Sequence, residues 1–390
     1  MKMGVILKKD KEKVLHQRHH WIFSGAIQSF PSSFTNGEVY PVYSFANELL
    51  GHGYFNQNNS LCGRMLSFGP AAPYETLLLN LKNAISLRKK IFDTSETAYR
   101  LINGEGDLIP GLIVDKYGDY LVIQISTLGM EKLKPQIISY LTSLLSVKGI
   151  YEKSLLPTRK EEGLDPFEGN LFGEIVDLVE ISEYGSKYLI SYIKGQKTGF
   201  FLDQREMRAL IRHYAKNKRV LNCFSYTGGF SVAALSNGAS EVHSIDISKE
   251  AIGLAKNNLL LNGFDPEKNK LFAEDVLKFL RESTSLPYDI VILDPPAFAK
   301  KKQDVISACK GYKEINRQAI QKMPAGSLLL TCSCSYHVDE ELFQKVVFQA
   351  ATDAKRGVKI ISRHRLSADH PINLYHREGD YLKSLLLYID

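Results

Sequence analysis

The sequence predicts an α/β protein in three parts, on three observations. From about residue 190, short apolar strands alternate with helical stretches, the pattern of a layered sheet whose ligands collect at the strand carboxyl ends. The first 70 residues instead carry short strands broken by turn residues, as in a small β-barrel. Between them lie a helical stretch, two strands parted by Gly118-Asp119, a helix and another strand, which fits a small α+β domain. A chain of 390 residues is also more than one core usually holds. The expected boundaries are 1–72, 73–185 and 186–390.

In the first part the strands are placed at Val5-Ile6-Leu7, Glu38 to Tyr43, Leu49 to Phe55 and Arg64-Met65-Leu66. The second part has a helix from Tyr74 to Phe92, strands Leu112 to Tyr117 and Tyr120 to Ile125, a helix near 129–146 and a strand at Gly149 to Glu152. Residues 155–172 are polar, and Arg159-Lys160-Glu161-Glu162 reads as a solvated mixed-charge loop on an exposed excursion. In the third part the strands are Val220 to Phe224, Glu241 to Asp246, Lys270 to Ala273, Asp289 to Leu293 and Ser327 to Ser333. A helix begins after Ser248, with Glu250 in its positive first turn, and stops at Asn262-Gly263.

Composition narrows the function. Hydrophobic residues make up 44% and charged residues 24%, enough to bury sizeable cores and too ordinary for a disordered or fibrous chain. No apolar run approaches the roughly 18 residues of a membrane span, and the charged N-terminus has no apolar segment behind it, so a cytoplasmic protein is expected. Five cysteines suit thiols rather than a disulfide framework. Cys332 and Cys334 form the only close pair, with no second pair at zinc spacing, so no metal site is expected. The first 70 residues hold seven Lys and Arg against four Asp and Glu, within a chain whose net charge is +6. That excess suits a polyanionic partner, with Trp21, Phe23 and Tyr54 available for packing or stacking, and it equally suits a basic surface over an aromatic core.

Four features fall in order along the carboxyl edge of the third part. Ser225-Tyr226-Thr227-Gly228-Gly229-Phe230 forms the first strand-to-helix turn, where glycines let backbone approach a ligand. Asp246 ends the next strand, near the offset at which a carboxylate accepts hydrogen bonds from a ribose. Ala273-Glu274-Asp275 ends a third strand, where an adenine amine would be met. Asp294-Pro295-Pro296-Ala297-Phe298 ends a fourth, because two prolines cannot continue a central ladder. Together they imply a ligand of adenosine type.

With these motifs stand Arg18-His19-His20-Trp21-Ile22-Phe23-Ser24-Gly25, the run from Gly106 to Asp115, the run from Gln196 to Arg205, and Ser333-Cys334-Ser335. Over nearly its whole length the chain resembles the class I S-adenosylmethionine (SAM)-dependent methyltransferases that modify large-subunit (23S) ribosomal RNA. The resemblance implies a PUA-like β-barrel, a small α+β domain and a Rossmann-like class I methyltransferase domain. The first two would hold RNA, as naked 23S rRNA or within a pre-ribosomal large subunit, with a homodimer an open alternative. It implies that Thr198, Phe201, Gln204 and Arg205 enclose the methionine end of SAM and that Tyr226, Thr227 and Gly228 form the turn beneath it. Asp246 and Ile247 would hold ribose and adenine, Asp275 the adenine side, and Asp294 with Pro295 the methionine amine, the target base or both. Lys8, Lys9, Arg18, Lys300, Lys301 and Lys302 would meet RNA phosphates.

Which atom receives the methyl group turns on Cys334. Cytosine C5 is a poor nucleophile, so the known solution is a thiolate adduct at C6 that gives C5 enamine character. The Ser-Cys-Ser motif of the family selects Cys334 over Cys332 as the nucleophile, with Asp294 stabilising the adduct through the cytosine edge. Pro296 occupies the place where many RNA cytosine-5 methyltransferases carry a second cysteine, so the chain resembles the single-cysteine branch. The alternatives are methylation of guanine N7 or another base nitrogen without an adduct, a non-catalytic RNA-binding assembly factor, and a small-molecule methyltransferase. Asp369-His370-Pro371 and Tyr381-Leu382-Lys383 also match family positions, without a chemistry legible in the residues.

Overall fold

In the computed structural model, residues 4–299 and 301–390 are described. The chain divides into two compact units. One comprises residues 1–179, 191–200 and 368–379; the other comprises 180–190, 201–367 and 380–390.

The first unit carries two sheets. A mixed six-stranded sheet runs in the order Trp21–Phe23, Leu61–Phe68, Leu49–Phe55, Val39–Tyr43, Val5–Leu7, Ile27–Ser29. Its core is Val5, Leu7, Ile22, Val42, Phe55 and Met65. The second is five-stranded, with the antiparallel hairpin of Leu112–Tyr117 and Tyr120–Ile125 near its centre. Gly118 closes that hairpin with φ at +58°, a conformation glycine adopts without a side-chain clash. Helices Pro73–Ile91 and Leu128–Leu144 bury Leu77, Leu81, Ile137 and Leu141 against this sheet. Tyr54 and Leu66, on strands of the six-stranded sheet, belong to the same apolar cluster, and the Tyr54 hydroxyl donates to Pro110 O at 2.8 Å. Tyr54 and Leu66 thus tie the two sheets together within one compact unit.

The polar segment 155–172 is mostly exposed, as expected, but it is neither all loop nor all solvated. Phe167–Gly173 is a strand paired antiparallel with Gly149–Ser154. Arg159 and Glu162 are buried: Arg159 is ion-paired to Glu131 at 2.8 Å, and Glu162 accepts from Arg64 at 2.9 Å. Opposite charges drawn from distant segments compensate one another there, a pairing that local composition does not reveal.

The motif from Gly106 to Asp115 is structural. Arg88, fully buried, donates both terminal nitrogens to Asp107, at 2.6 and 2.8 Å, and also reaches Asp369 O at 2.7 Å. Arg100 makes the matching bidentate pair with Asp115, and its amide donates to the Asp369 carboxylate at 2.8 Å. A side chain at Gly106 would place Cβ 1.9 Å from Pro371 O, so only glycine fits. Asp369 and His370 are buried and hydrogen-bonded to each other at 2.9 Å, which gives Asp369-His370-Pro371 its role as an anchor of 368–379 within this unit.

The second unit is built on a seven-stranded sheet: β1 (Arg219–Cys223), β2 (Glu241–Asp246), β3 (Leu271–Ala273), β4 (Ile290–Leu293), β5 (Leu328–Ser333), β6 (Val358–His364) and β7 (Lys383–Ile389). The spatial order is β3-β2-β1-β4-β5-β7-β6. Strands β1 to β5 pair in parallel, while β7 pairs antiparallel with both β5 and β6. Helices such as Lys249–Leu261, Val305–Lys322 and Glu340–Ala354 connect them. Ser248 caps the first of these by accepting from Ala251 N at 3.1 Å, as its sequence predicts. The strand order reverses between β1 and β4, so loops on either side diverge there and open a crevice at the carboxyl ends.

Candidate active site

Strand β1 delivers the chain into Phe224-Ser225-Tyr226-Thr227-Gly228, where three of five residues are left-handed: Phe224 at φ 60°, Tyr226 at 47° and Gly228 at 79°. Two of these are bulky residues in a costly conformation, and such strain persists where the surroundings enforce it. The enforcement is visible. Asp246, at the end of β2, accepts from Tyr226 N at 2.8 Å with one carboxylate oxygen and from Ser248 N at 2.9 Å with the other. Ala255 lies 3.2 Å from where a Cβ at Gly228 would stand, so the helix packs closely under the turn. The ring of Phe201 stands perpendicular to that of Tyr226 at 5.2 Å. Ile247 is 72% exposed beside Asp246, an apolar side chain turned to solvent.

At the next strand ends, Asp275 caps the helix Val276–Glu282, accepting from Lys278 N at 2.8 Å. Strand β4 stops at Leu293, as the two prolines require, and leaves Asp294 accepting from Gln204 Nε2 at 2.7 Å. Asp203, beside Gln204, accepts from the Tyr381 hydroxyl at 2.6 Å. Strand β5 ends at Ser333, so Cys334 lies past the ladder and is only partly buried, whereas Cys332 is fully buried. Burial, with Asp294 and Cys334 nearby, raises the Cys332 thiol well above its ordinary range. Cys334 Sγ lies 3.9 Å from Pro295 O. The turn that carries it is fixed through Ser335, whose hydroxyl accepts from Ala299 N at 3.1 Å and bonds to the Tyr312 hydroxyl at 2.9 Å.

The structure therefore brings Phe201, Tyr226, Thr227, Gly228 and Asp246 together around one turn, and places Gln204, Asp294, Pro295 and Cys334 around the ends of β4 and β5. Two other expected site residues have settled partners. Thr198 lies in the first unit, where it donates to Asp115 at 2.6 Å and pairs with the Tyr117 hydroxyl at 3.1 Å. Arg205 is fully buried, 3.8 Å from Glu183 and over the Tyr184 ring. Lys8, Lys9, Arg18, Lys301 and Lys302 are exposed, and Lys300 lies outside the described residues.

Sequence reasoning gave no role to Lys383. It opens β7 opposite Ser333, is 6% exposed, and donates to Ser335 O and Tyr381 O, each at 2.7 Å. Burial pushes its ammonium down to about 8, against the opposing pull of Cys334. A lysine leading a largely apolar strand was the available signal.

Three buried oxygens near this edge, Ser225 Oγ, Thr227 Oγ1 and Gln204 Oε1, have no hydrogen-bond partner among the described residues. Unsatisfied groups in a native interior ask for a ligand or water. Their position suits a molecule bearing an amine, a carboxylate and hydroxyls, as SAM does.

Comparison with known proteins agrees. The S-adenosylmethionine-dependent methyltransferase family matches residues 163–365, and a PUA-like domain matches residues 5–68. The ribosomal RNA large subunit methyltransferase I of Alteromonas mediterranea is 40% identical over 99% of this chain and 98% of its own length. A SAM-dependent methyltransferase-type structure from Streptococcus mutans superposes with TM-score 0.82 at 27% identity, covering 99% of this chain and all of that one. A second solved chain, complexed with S-adenosylhomocysteine (SAH), gives 0.83 at 26% identity, with coverage of 99% and 100%. With the strand order and the turn after β1, these matches establish that the chain belongs to the S-adenosylmethionine-dependent methyltransferases, in the branch with an N-terminal PUA-like domain whose curated relatives are the ribosomal RNA large subunit methyltransferases I.

Proposed function

We propose that the protein methylates C5 of a cytosine in 23S rRNA through a Cys334 thiolate adduct at C6. The observation that carries this reading is the contrast at the end of β5: Cys332 is sealed, while Cys334 stands past the strand, partly accessible and beside the Asp294-Pro295 turn. When bound, SAM supplies an electrophilic methyl group. Cys334 adds to C6, which drives electron density onto C5. Asp294, oriented by Gln204, accepts from the cytosine edge and holds the ring as it loses aromaticity. Once C5 is methylated its proton passes to solvent or another base, the C6–S bond breaks to release the thiolate, and the thiolate regains the proton it gave up before attack.

For the donor, Phe201 and Tyr226 wall the methionine end, Thr227 and Gly228 pass beneath it, Asp246 takes the ribose hydroxyls, and Ile247 with Asp275 meets the adenine. In this reading the domains at 1–72 and 73–185 hold the RNA, and exposed Lys8, Lys9, Arg18, Lys301 and Lys302 meet phosphates. Asp246→Ala removes both the ribose partner and the acceptor that holds the strained turn. It should weaken SAH binding about 10- to 100-fold by calorimetry, as expected for a lost charge-assisted hydrogen bond; unchanged affinity would reject the assignment.

The test of the function is methyl transfer from labelled SAM to 23S rRNA lacking the modification, with nucleoside analysis of the product. 5-Methylcytidine supports the reading. A methylated guanosine replaces it with nitrogen methylation, and donor binding without turnover replaces it with an assembly factor.

A further inference from the structure

We propose that Lys383 is the proton partner of Cys334, taking the thiol proton before attack and returning it when the adduct breaks. This rests on Cys334 being the nucleophile. The geometry begins with register: Lys383 pairs with Ser333 across the antiparallel β5–β7 ladder, so its side chain starts one residue from Cys334. Its Nζ is then held by two backbone carbonyls, Ser335 O immediately after Cys334 and Tyr381 O two residues before Lys383.

A tetrahedral nitrogen with Cε and two N–H bonds to carbonyls has one position left. In the neutral amine that position is a lone pair, and in the ammonium it is a third N–H. The step is therefore a single proton transfer. The S–H bond breaks, an N–H bond forms, and a thiolate faces an ammonium. After the C6–S bond breaks, the reverse transfer regenerates thiol and amine, so no other reactant is consumed.

The surroundings set the range over which the pair works. Burial lowers the Lys383 ammonium to about 8, while Cys334, Asp380 and Asp339 pull it upward and Arg365 pushes it down. A base poised near the working pH is what proton shuttling requires, and an ordinary exposed lysine would hold its proton too tightly. Because the two groups share a proton, their titrations are coupled and belong to the pair. Lys383 acts through the sulfur and is a positioning residue.

The experiment is alkylation of Cys334 in the full chain by iodoacetamide, followed by peptide mapping from pH 5.5 to 9.5. Mapping is required because Cys309 is also partly accessible. In Lys383→Met the midpoint should rise by about one pH unit, slowing alkylation at pH 7 about tenfold. Lys383→Arg keeps a positive charge beside the sulfur but cannot take up its proton, so it should bring the alkylation rate at pH 7 back to within about threefold of wild type while leaving methyl transfer as low as in Lys383→Met; methyl transfer restored to the wild-type rate would overturn the proton exchange. A Lys383→Met profile that coincides with wild type overturns the inference.

Should Lys383→Met fail to fold, the coupling is read from the other side. With 13Cε-labelled lysine, the Lys383 signal should titrate lower in Cys334→Ala than in wild type, because the thiolate that favours its charge is gone; identical midpoints overturn the inference. A shifted alkylation profile with methylguanosine as product would leave the Lys383–Cys334 coupling standing and end the cytosine reading. 5-Methylcytidine with an unshifted profile would do the opposite.

Discussion

With Cys334 as the proposed nucleophile, Cys334→Ala is expected to abolish formation of 5-methylcytidine, with a loss on the order of 10⁴-fold or more, as when a covalent nucleophile is removed. SAH binding should change by less than about threefold, because no donor-facing residue is altered. The discriminating measurement uses RNA carrying 5-fluorocytidine. Fluorine replaces the C5 proton that must leave, so wild type should become trapped as a protein–RNA adduct that survives denaturing gels. Cys334→Ala should give none, whereas Cys332→Ala should still trap, since Cys332 is fully buried. Equal methylation by wild type and Cys334→Ala would make the thiol structural and shift the acceptor to a base nitrogen.

Arg88→Ala is expected to have the largest effect on stability. Arg88 is completely buried and neutralises Asp107 through two short bonds while holding Asp369 O and Arg100 O. Removing it leaves a buried carboxylate with no counter-charge, a loss of about 3–5 kcal/mol. For a unit of this size that lowers the midpoint of thermal unfolding by roughly 10 °C. Calorimetry on the full chain should show the lowered midpoint. The paired substitution Arg88→Met with Asp107→Leu should recover much of the loss, because the cost lies in the orphaned charge. A double variant no better than Arg88→Ala would assign the stability to the carbonyl contacts instead.

The parts of the fold governed by local rules were legible in the sequence. Paired prolines ended β4 at Leu293, Ser248 opened a helix, and Gly118-Asp119 closed a hairpin, each through backbone chemistry within a few residues. The unusual backbone of the turn after β1 was legible from its glycines, although Tyr226 and Phe224, not glycine alone, adopt the left-handed conformation. What stayed hidden depends on residues far apart in sequence. Arg159 and Glu162 looked solvated because their partners Glu131 and Arg64 lie 28 and 98 residues away. Thr198 stood inside a site-like motif, yet its hydroxyl is engaged by Asp115, 83 residues earlier. The contacts of Lys383 with Ser335 O and Tyr381 O stayed hidden because they form only when β7 is laid antiparallel beside β5.

That insertion also orders events in time. Strand β7 is made after β6 but lies between β5 and β6, so every hydrogen bond that joins β6 to the sheet waits for residues 383–389. During synthesis, a chain that has emerged only through residue 364 presents two bare strand edges with nothing between them. Such edges invite pairing with other chains. In the proposed scheme the lysine that exchanges a proton with Cys334 arrives with the strand that closes the sheet, so a chain cut short before residue 383 lacks it.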